Sequence, residues 1–199
     1  TDQLDLGDEV LVDLGRQGID ADDRLVVRRV PVPGGVLHEV VADRDHQILM
    51  AEAALPDDRA TVVPVSFKVA HELKAAETDP KLADLVFQLE DVVQFRGRRV
   101  LYQWIGGTRK DWRGQGHFRA LTEEQEVWAI DNGFDEIIVK TKNRFYEMRS
   151  TLAQLAFDVI RFVPHPVECG ESKVFLSKRL GQHVIDSHRS RRSLQRNDD

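Results

Sequence analysis

The sequence predicts a mixed α/β (α+β) fold, with helices flanking one sheet. The apolar segments "TVVPVSFKVAHEL" and "RRVLYQWIGG" are rich in β-branched and aromatic residues, which is typical of strands. The helical segment "HFRALTEEQEVWAIDNG" separates the second of these from a further strand, "FDEIIVKTKN". A helix that joins two strands of one sheet indicates a parallel crossover at the centre of that sheet.

The composition is that of a soluble globular protein with a single domain. The chain has 199 residues, of which 41% are hydrophobic and 31% are charged. We expect the domain to span residues 24–181, after a poorly defined segment 1–23 and before a basic, flexible tail, 182–199. No apolar run approaches the roughly 20 residues of a membrane span, and the first residues lack the pattern of a signal peptide. We therefore expect a cytoplasmic protein with no membrane partner.

Cysteine usage and net charge exclude several classes of site. Cys169 is the only cysteine, which rules out an intramolecular disulfide and a cysteine-based metal centre. We expect no metal cofactor. The net charge of −6 disfavours broad binding to nucleic acid.

The N-terminal half contains two clear elements and one ambiguous segment. "RLVVRRVPV" predicts a strand, and residues 35–55 fit either a helix or a hairpin that turns at Arg44 and Asp45. In the strand "TVVPVSFKVAHEL", the alternation of side chains places one set on each face of the sheet. These sets are Phe67, Val69 and His71 on one face, and Ser66, Lys68, Ala70 and Glu72 on the other.

Residues 79–95 give the clearest helix. Asp79 is suited to cap it, Pro80 suits its first turn, and apolar residues recur at helical spacing. The helix after Gly116 is expected to end at Asn132 and Gly133. The segment "RFYEMRSTLAQLAF" predicts a third helix, before the strands "DVIRFV" and "SKVFLSKRL". We expect the core to include Phe118, Leu121, Val127 and Trp128 from the second helix, and Phe145, Met148, Leu152 and Leu155 from the third.

The turn "DWRGQGHF" is the strongest candidate for a binding site. Gly114 and Gly116 lack the Cβ atoms that would keep a ligand away from the backbone, and the first N–H groups of a helix have no partner within it. The helix end also carries a partial positive charge, so the turn suits phosphate oxygens, with Arg113 and His117 adding polar contacts. The alternative is a simple tight corner. The turn is neither a P-loop nor a dinucleotide fingerprint.

The segment from "VLYQWIGG" to "KTKN" resembles the acetyl-CoA-binding core of the GCN5-related N-acetyltransferase superfamily. The shared pattern is a strand, a loop of the form R/Q-x-x-G-x-G/A, a helix and a parallel strand. The resemblance covers roughly residues 60–180, and Ala156-Phe157 stands where the family usually has Gly-Phe. It implies a mostly antiparallel sheet with one splayed parallel pair, flanked by helices.

The resemblance also implies how acetyl-CoA is held. The pyrophosphate would lie on the backbone of the turn, and the pantetheine arm along the end of the preceding strand, with the thioester in the gap between the splayed strands. The implied contacts are Ile105, Gly106, Gly107 and Thr108 for the pantetheine, Arg113, Gly114, Gln115, Gly116, His117 and Phe118 for the pyrophosphate, and Asn143 at the mouth of the gap.

The sequence departs from the family in three places. Phe118 stands where the loop pattern has a small residue, and we expect its side chain to turn into the core. Leu152 occupies the position where many members have the tyrosine that protonates the leaving thiolate. The helix at 79–95 is inserted where members usually have a short hairpin, and we expect it to serve as a packing element or a homodimer contact rather than a lid over the cofactor.

The family chemistry implies an acetyl-CoA-dependent N-acetyltransferase that acts on a primary amine of a small molecule or peptide. An alkylammonium has a pKa of about 10.4, so the amine must lose a proton before it attacks. Glu72, acting directly or through water, is the first candidate for the base, and Tyr146 for the acid. A solvated carboxylate and a packing tyrosine are the alternatives, and His71 and His117 are lesser candidates. The alternative function is a non-catalytic CoA-binding sensor or scaffold. A third, less favoured function is that of an interaction module.

Overall fold

The computed structural model describes residues 26–29 and 43–181. The expected N-terminal segment 1–23, the expected basic tail 182–199 and the first part of the ambiguous segment 35–55 lie outside these residues. So do the ends of the strand expected from "RLVVRRVPV", of which residues 26–29 are described and extended.

The described strands form one seven-stranded sheet in the order β1-β2-β3-β4-β5-β7-β6. Only β4 and β5 pair in parallel among these strands, and every other neighbouring pair is antiparallel. The predicted mixed fold is therefore confirmed. The strands are β1 Val26–Arg29, β2 His46–Ala54, β3 Val62–Leu73, β4 Val100–Thr108, β5 Glu136–Lys142, β6 Asp158–Val163 and β7 Lys173–Arg179.

The ambiguous segment becomes strand β2 from His46 onward. Asp43 and Arg44 form a turn and bend before it, close to the predicted hairpin turn, so a helix over 46–54 is wrong. Ile48 and Leu49 are both buried although they are adjacent. Adjacent strand residues point to opposite faces, and a sheet covered on both faces buries both of them.

Three helices are described: α1 Pro80–Leu89, α2 His117–Asp131 and α3 Tyr146–Gln154. The predicted cap of α1 is confirmed, because the Asp79 carboxylate accepts hydrogen bonds from the N–H groups of Lys81 and Leu82 at 2.9 and 3.0 Å. The helix ends earlier than residue 95. The N–H groups of Val92 and Val93 both donate to the carbonyl of Leu89, which closes a turn there.

The two faces of the sheet carry separate apolar clusters. Helices α2 and α3 cover one face, which we call the α2 face, and helix α1 packs on the other, the α1 face. The α2 face includes Leu101, Phe118, Trp128, Ile137, Leu152 and Leu155. The α1 face includes Leu73, Leu82, Leu85, Leu89, Tyr102, Ile138 and Phe175. Packing of α1 on the sheet agrees with its expected role as a packing element.

The prediction that Val127 of α2 belongs to the core is wrong. Val127 is 53% exposed, whereas Thr122 and Gln125 are fully buried. The buried stripe of this helix follows Phe118, Leu121, Thr122, Gln125, Trp128 and Ala129. Two polar residues thus occupy positions in the helical stripe, and Val127 lies off it.

The parallel pair β4–β5 separates before either strand ends. Pairing runs from Val100 opposite Glu136 to Gln103 opposite Val139, while β4 continues to Thr108 and β5 to Lys142. A β-bulge lies at the point of separation, because Ala70 of β3 faces Gln103 and Val69 faces Ile105. Trp104 is the extra residue, and it packs with the cluster of the α1 face. The result is the implied splayed strand pair.

Candidate functional site

The turn between β4 and α2 has the backbone that the glycine pair predicts. Gly114 and Gly116 have φ angles of 78° and 81°, in the left-handed region that glycine adopts without steric cost. Gly116 is the N-cap residue of α2, and no side chain caps the helix there. The glycines therefore make the corner, and the start of the helix is left open.

The N–H groups of this turn have no carbonyl partner in the part of the chain that the structure describes. This holds for Gly114, Gln115, Gly116, His117, Phe118 and Arg119, and the first helical bond runs from Ala120 N–H to the carbonyl of Gly116 at 3.0 Å. Such a row of donors, at the positive end of a helix dipole, suits a pyrophosphate. The turn thus fits the phosphate group that CoA would bring.

The side chain of Phe118 turns into the core, as expected. It is 4% exposed and belongs to the cluster of the α2 face, beneath the first turn of α2. The Nζ atom of Lys68 lies 4.4 Å from the centroid of its ring. The aromatic ring therefore does not crowd the N–H groups of the turn.

His117 presents its backbone rather than a charge. Its ring is buried against Trp112, with the two ring centroids 6.2 Å apart, and neither ring nitrogen has a hydrogen-bond partner. Burial lowers the pKa of His117 below its usual value. Any contact of His117 with a phosphate would accordingly be made by its N–H group.

The end of β4 is held tightly against β3 and the turn. A Cβ atom on Gly106 would lie 2.9 Å from the carbonyl oxygen of Phe67, so only glycine allows this approach. The Ser66 hydroxyl donates to the carbonyl of Gly107 at 3.0 Å, and the Arg113 Nε atom donates to the carbonyl of Thr108 at 3.3 Å. These contacts fix the strand along which the pantetheine arm was expected.

Asn143 follows directly after β5 but is engaged on the side of the β6–β7 connection. Its Nδ2 atom donates to the carbonyl of Cys169 at 3.2 Å, and its Oδ1 atom accepts a hydrogen bond from Arg149. Its backbone N–H donates to the carbonyl of Ser172 at 2.8 Å. Asn143 thus anchors the end of β5, and its predicted contact with the cofactor stays a prediction.

The structure places Glu72 away from the gap and Tyr146 at the surface. Glu72 lies opposite Leu101, which is about 13 Å along β4 from Ile105 at 3.3 Å per residue. Its carboxylate accepts a hydrogen bond from Arg99 Nε at 3.2 Å. The side chain of Tyr146 is 64% exposed at the start of α3. Their roles as base and acid stay predictions.

The sequence reasoning missed a groove at the point where β4 and β5 separate. This groove, which we name the acceptor groove after the role proposed for it below, has a volume of about 300 Å³ and lies on the α1 face. Tyr102 and Trp104 of β4 and Lys140 of β5 line it from the sheet, and the first turns of α1 line it from the other side with Lys81, Leu82, Asp84 and Leu85. The two aromatic residues before "IGG" were its only sequence signal.

His71 lies behind the aromatic side of this groove. Its ring centroid is 5.6 Å from those of both Tyr102 and Trp104, in edge-on geometry. Its Nδ1–H donates to the carbonyl of Glu72 at 2.8 Å, and its Nε2 atom has no partner. Burial lowers the pKa of His71 to about 4, so the ring is neutral at pH 7.

A second cavity lies beside the turn at the end of β4. Its volume is about 380 Å³, and it is lined by Phe67, Thr108, Arg109 and Arg113 together with apolar residues of β2 and β3. The guanidinium groups of Arg109 and Arg113 thus lie at this end of the sheet, next to the N-terminus of α2. Arg109 is paired with Asp111 at 2.7 Å.

Neither a protein-family model nor a curated protein matches the sequence. Solved structures do match. Arabidopsis thaliana NAA60 in complex with acetyl-CoA is 12% identical with a TM-score of 0.59, covering 79% of this chain and 99% of that chain. FeeM, an N-acyl amino acid synthase from uncultured soil microbes, is 10% identical with a TM-score of 0.56, covering 80% and 93%. A candidate GNAT-family acetyltransferase from Desulfovibrio desulfuricans is 12% identical with a TM-score of 0.53, covering 79% and 100%.

The chain therefore has the fold of the GNAT acetyltransferases, as the sequence resemblance implied. At such identities the likeness concerns the fold alone.

Two further findings concern residues 26–29 and 43–181. None of their helices is long and apolar enough to cross a membrane. Nor do three His, Cys, Asp or Glu side chains among them form a group that could hold a metal ion.

Proposed function

We propose that this protein is an acetyl-CoA-dependent N-acetyltransferase that acts on a primary amine of a small molecule or peptide. The observation that carries the proposal is the row of N–H groups, without carbonyl partners among the described residues, at the start of α2. That row lies beside a parallel strand pair that has separated into a gap. Solved structures with this fold hold acetyl-CoA, which supports the same use of the fold here.

Backbone groups would hold the cofactor. The N–H groups of residues 113–118 would bind its pyrophosphate, and the edge of β4 from Ile105 to Thr108 would bind the pantetheine arm. Acetyl-CoA supplies an activated acyl group as a thioester. The remaining contributions of the chain are positioning and the exclusion of water, which alone lower a barrier substantially.

In the overall reaction the amine nitrogen bonds to the acetyl carbon, the carbon–sulfur bond breaks, and the proton lost by the amine ends on the thiol of CoA. The sequence reasoning names Glu72 as the base and Tyr146 as the acid, but Glu72 is paired with Arg99 and lies away from the gap. The titratable groups that line the acceptor groove are Lys81, Asp84, Tyr102 and Lys140. Because that groove opens at the gap, we expect one of these groups, or water between them, to accept the proton that the amine loses.

The proposed partners are acetyl-CoA and the amine acceptor, in the cytoplasm. A homodimer is a further proposal, supported by Phe87 on α1, which is 72% exposed. An exposed aromatic side chain on a helix is suited to a contact between copies.

The test is the thermal stability of the protein with and without acetyl-CoA. A ligand at 100 times its dissociation constant stabilises the folded state by about 2.7 kcal/mol. No change in melting temperature at millimolar acetyl-CoA would overturn the proposal.

A non-catalytic CoA-binding protein is the second candidate function. It is favoured by Leu152, which is fully buried in the core at the position where many family members have a catalytic tyrosine. Release of free CoA across a panel of amines separates the two candidates. Binding of acetyl-CoA without turnover on any amine favours the sensor.

A further inference from the structure

We propose that helix α2 and the sheet enclose a binding site for ordered water, formed by the side-chain amides of Gln47, Gln103 and Gln125. This water site, as we name it, is separate from the turn before α2 and from the acceptor groove. It goes beyond the proposed function, because no part of it depends on acetyl-CoA.

The strand register brings the first two amides together. Gln47 of β2 and Gln103 of β4 both lie opposite Ala70 of β3. Residues that face each other in neighbouring antiparallel strands point to the same face of the sheet, with Cβ atoms roughly 5 Å apart. Ala70 belongs to the cluster of the α2 face, so both glutamine side chains lie on that face. The two long side chains therefore flank one short methyl group.

Helix α2 supplies the third amide. Lys68 donates a hydrogen bond to the hydroxyl of Thr122, so this turn of α2 lies over Lys68. Because α2 joins the parallel strands β4 and β5, it runs opposite to β4 and in the same direction as β3. The strand advances about 6.6 Å from Lys68 to Ala70, and the helix about 4.5 Å from Thr122 to Gln125. Gln125 thus lies over Ala70, between the other two amides.

The six polar atoms of these amides are buried without a hydrogen-bond partner in the part of the chain that the structure describes. Gln47, Gln103 and Gln125 are 3%, 4% and 0% exposed. Native proteins satisfy buried amides with protein groups or with ordered water, because leaving them unpaired is strongly unfavourable. A buried water makes about three hydrogen bonds, so about two waters match the six atoms.

The chemistry of the surroundings selects a neutral occupant. The amides offer both donors and acceptors and carry no net charge. Lys68, on the same face, is bonded to Thr122, and burial holds its pKa well below the usual range, which favours the neutral amine. A buried ion would need a charged partner, which amides do not supply. Water, which both donates and accepts, matches this set.

The first experiment is a high-resolution crystal structure of the unsubstituted protein. We expect density for water within hydrogen-bond distance of all three amides. Direct hydrogen bonds between the amides, with no water among them, would overturn the inference.

The second experiment detects the same water in solution through nuclear Overhauser effects from water to the Ala70 methyl group, which has no exchangeable proton. We expect a cross-peak in the unsubstituted protein, and its absence would contradict the inference. The cross-peak should persist in Lys68→Met and in Thr122→Val, which remove nearby exchanging protons. Its loss in either variant would show that those protons, and not bound water, produce it.

Gln125→Leu should reduce this cross-peak at least fivefold, because it removes one amide from the site. The matched control is Gln154→Leu, at an exposed position of α3, which should leave the cross-peak unchanged. An undiminished cross-peak in folded Gln125→Leu, or an equal loss in the control, would refute the assignment. The crystal structure of the unsubstituted protein decides the question independently of how these variants fold.

Discussion

The Nζ atom of Lys68 lies 4.4 Å from the centroid of the Phe118 ring, and both side chains are buried between strand β3 and helix α2. Nζ also donates to the hydroxyl of Thr122, which in turn donates to the carbonyl of Phe118 at 2.7 Å. Burial holds the pKa of Lys68 well below its usual range. The residue that departs from the family loop pattern is therefore packed on a desolvated lysine.

Lys68→Met should stabilise the protein by about 1 to 3 kcal/mol at pH 7, because a long apolar side chain replaces a buried amine. The unfolded chain binds a proton at Lys68 more readily than the folded chain, so the stability of the unsubstituted protein rises with pH. The gain should therefore be largest at pH 6 and shrink toward pH 9. Urea unfolding at several pH values measures it.

The same measurement on Lys173→Met provides the control for Lys68→Met. Lys173 is exposed, so its substitution should change the free energy of unfolding by less than about 0.5 kcal/mol. A loss of stability in Lys68→Met at every pH would contradict the prediction.

Gly116→Ala should abolish the stabilisation by acetyl-CoA. Alanine in the left-handed conformation costs about 1 kcal/mol, and its Cβ atom would stand at the turn proposed to bind the pyrophosphate. Gly133→Ala is the matched control, because Gly133 has a φ of 71° and no atom within 4 Å of the added Cβ. Both variants should lose similar stability, and only Gly116→Ala should lose the thermal shift. An undiminished shift in Gly116→Ala would refute binding at this turn.

Ala156→Gly should raise the free energy of unfolding by about 0.5 to 1 kcal/mol. Ala156 follows helix α3 with a φ of 63°, which glycine adopts without the steric cost that alanine bears. Ala153→Gly, at an exposed position within the same helix, should instead cost about 1 kcal/mol. Denaturant unfolding of both variants checks the opposite signs, and equal losses would show that the backbone at Ala156 is not strained.

Glu72→Gln tests the predicted general base. The carboxylate is paired with Arg99 at 3.2 Å and lies away from the gap, so we expect kcat to change less than twofold and stability to fall by about 1 kcal/mol or less. A general base would instead lose 10²-fold or more in kcat. Tyr146→Phe, at an exposed side chain, is expected to behave like Glu72→Gln. Acetyl transfer to the best amine measures both, and a large loss in kcat would restore the residue concerned to its predicted role.

Local chemistry accounts for the parts of this protein that could be predicted. Asp79 and Pro80 begin α1, Gly116 begins α2 and Gly133 follows its end, because caps and left-handed residues act over a few neighbouring positions. The order of strands and helices followed from the same local patterns. The left-handed glycines of the turn before α2 were predicted for this reason, since the glycines and the helix are adjacent in the chain.

The acceptor groove, and the burial or pairing of individual side chains, depended on residues far away in the sequence. The bulge at Trp104 exists only in the register between β3 and β4, and no pattern within β4 reveals it. Lys68 of β3 and Gln125 of α2 are buried although their types favour solvent, because α2 packs on the sheet and both residues lie at that contact. Similarly, Glu72 became an ion-pair partner of Arg99 because the start of β4 lies beside the end of β3.

The sequence by itself determined the fold class and the turn at Gly114 and Gly116, because secondary-structure periodicity and glycine conformation are properties of short segments. Only the tertiary structure decided where β4 and β5 separate and which wall α1 presents to the gap. Strand register and helix packing depend on contacts between residues far apart in the chain. The sequence of one segment does not specify which other segment it pairs with or packs against.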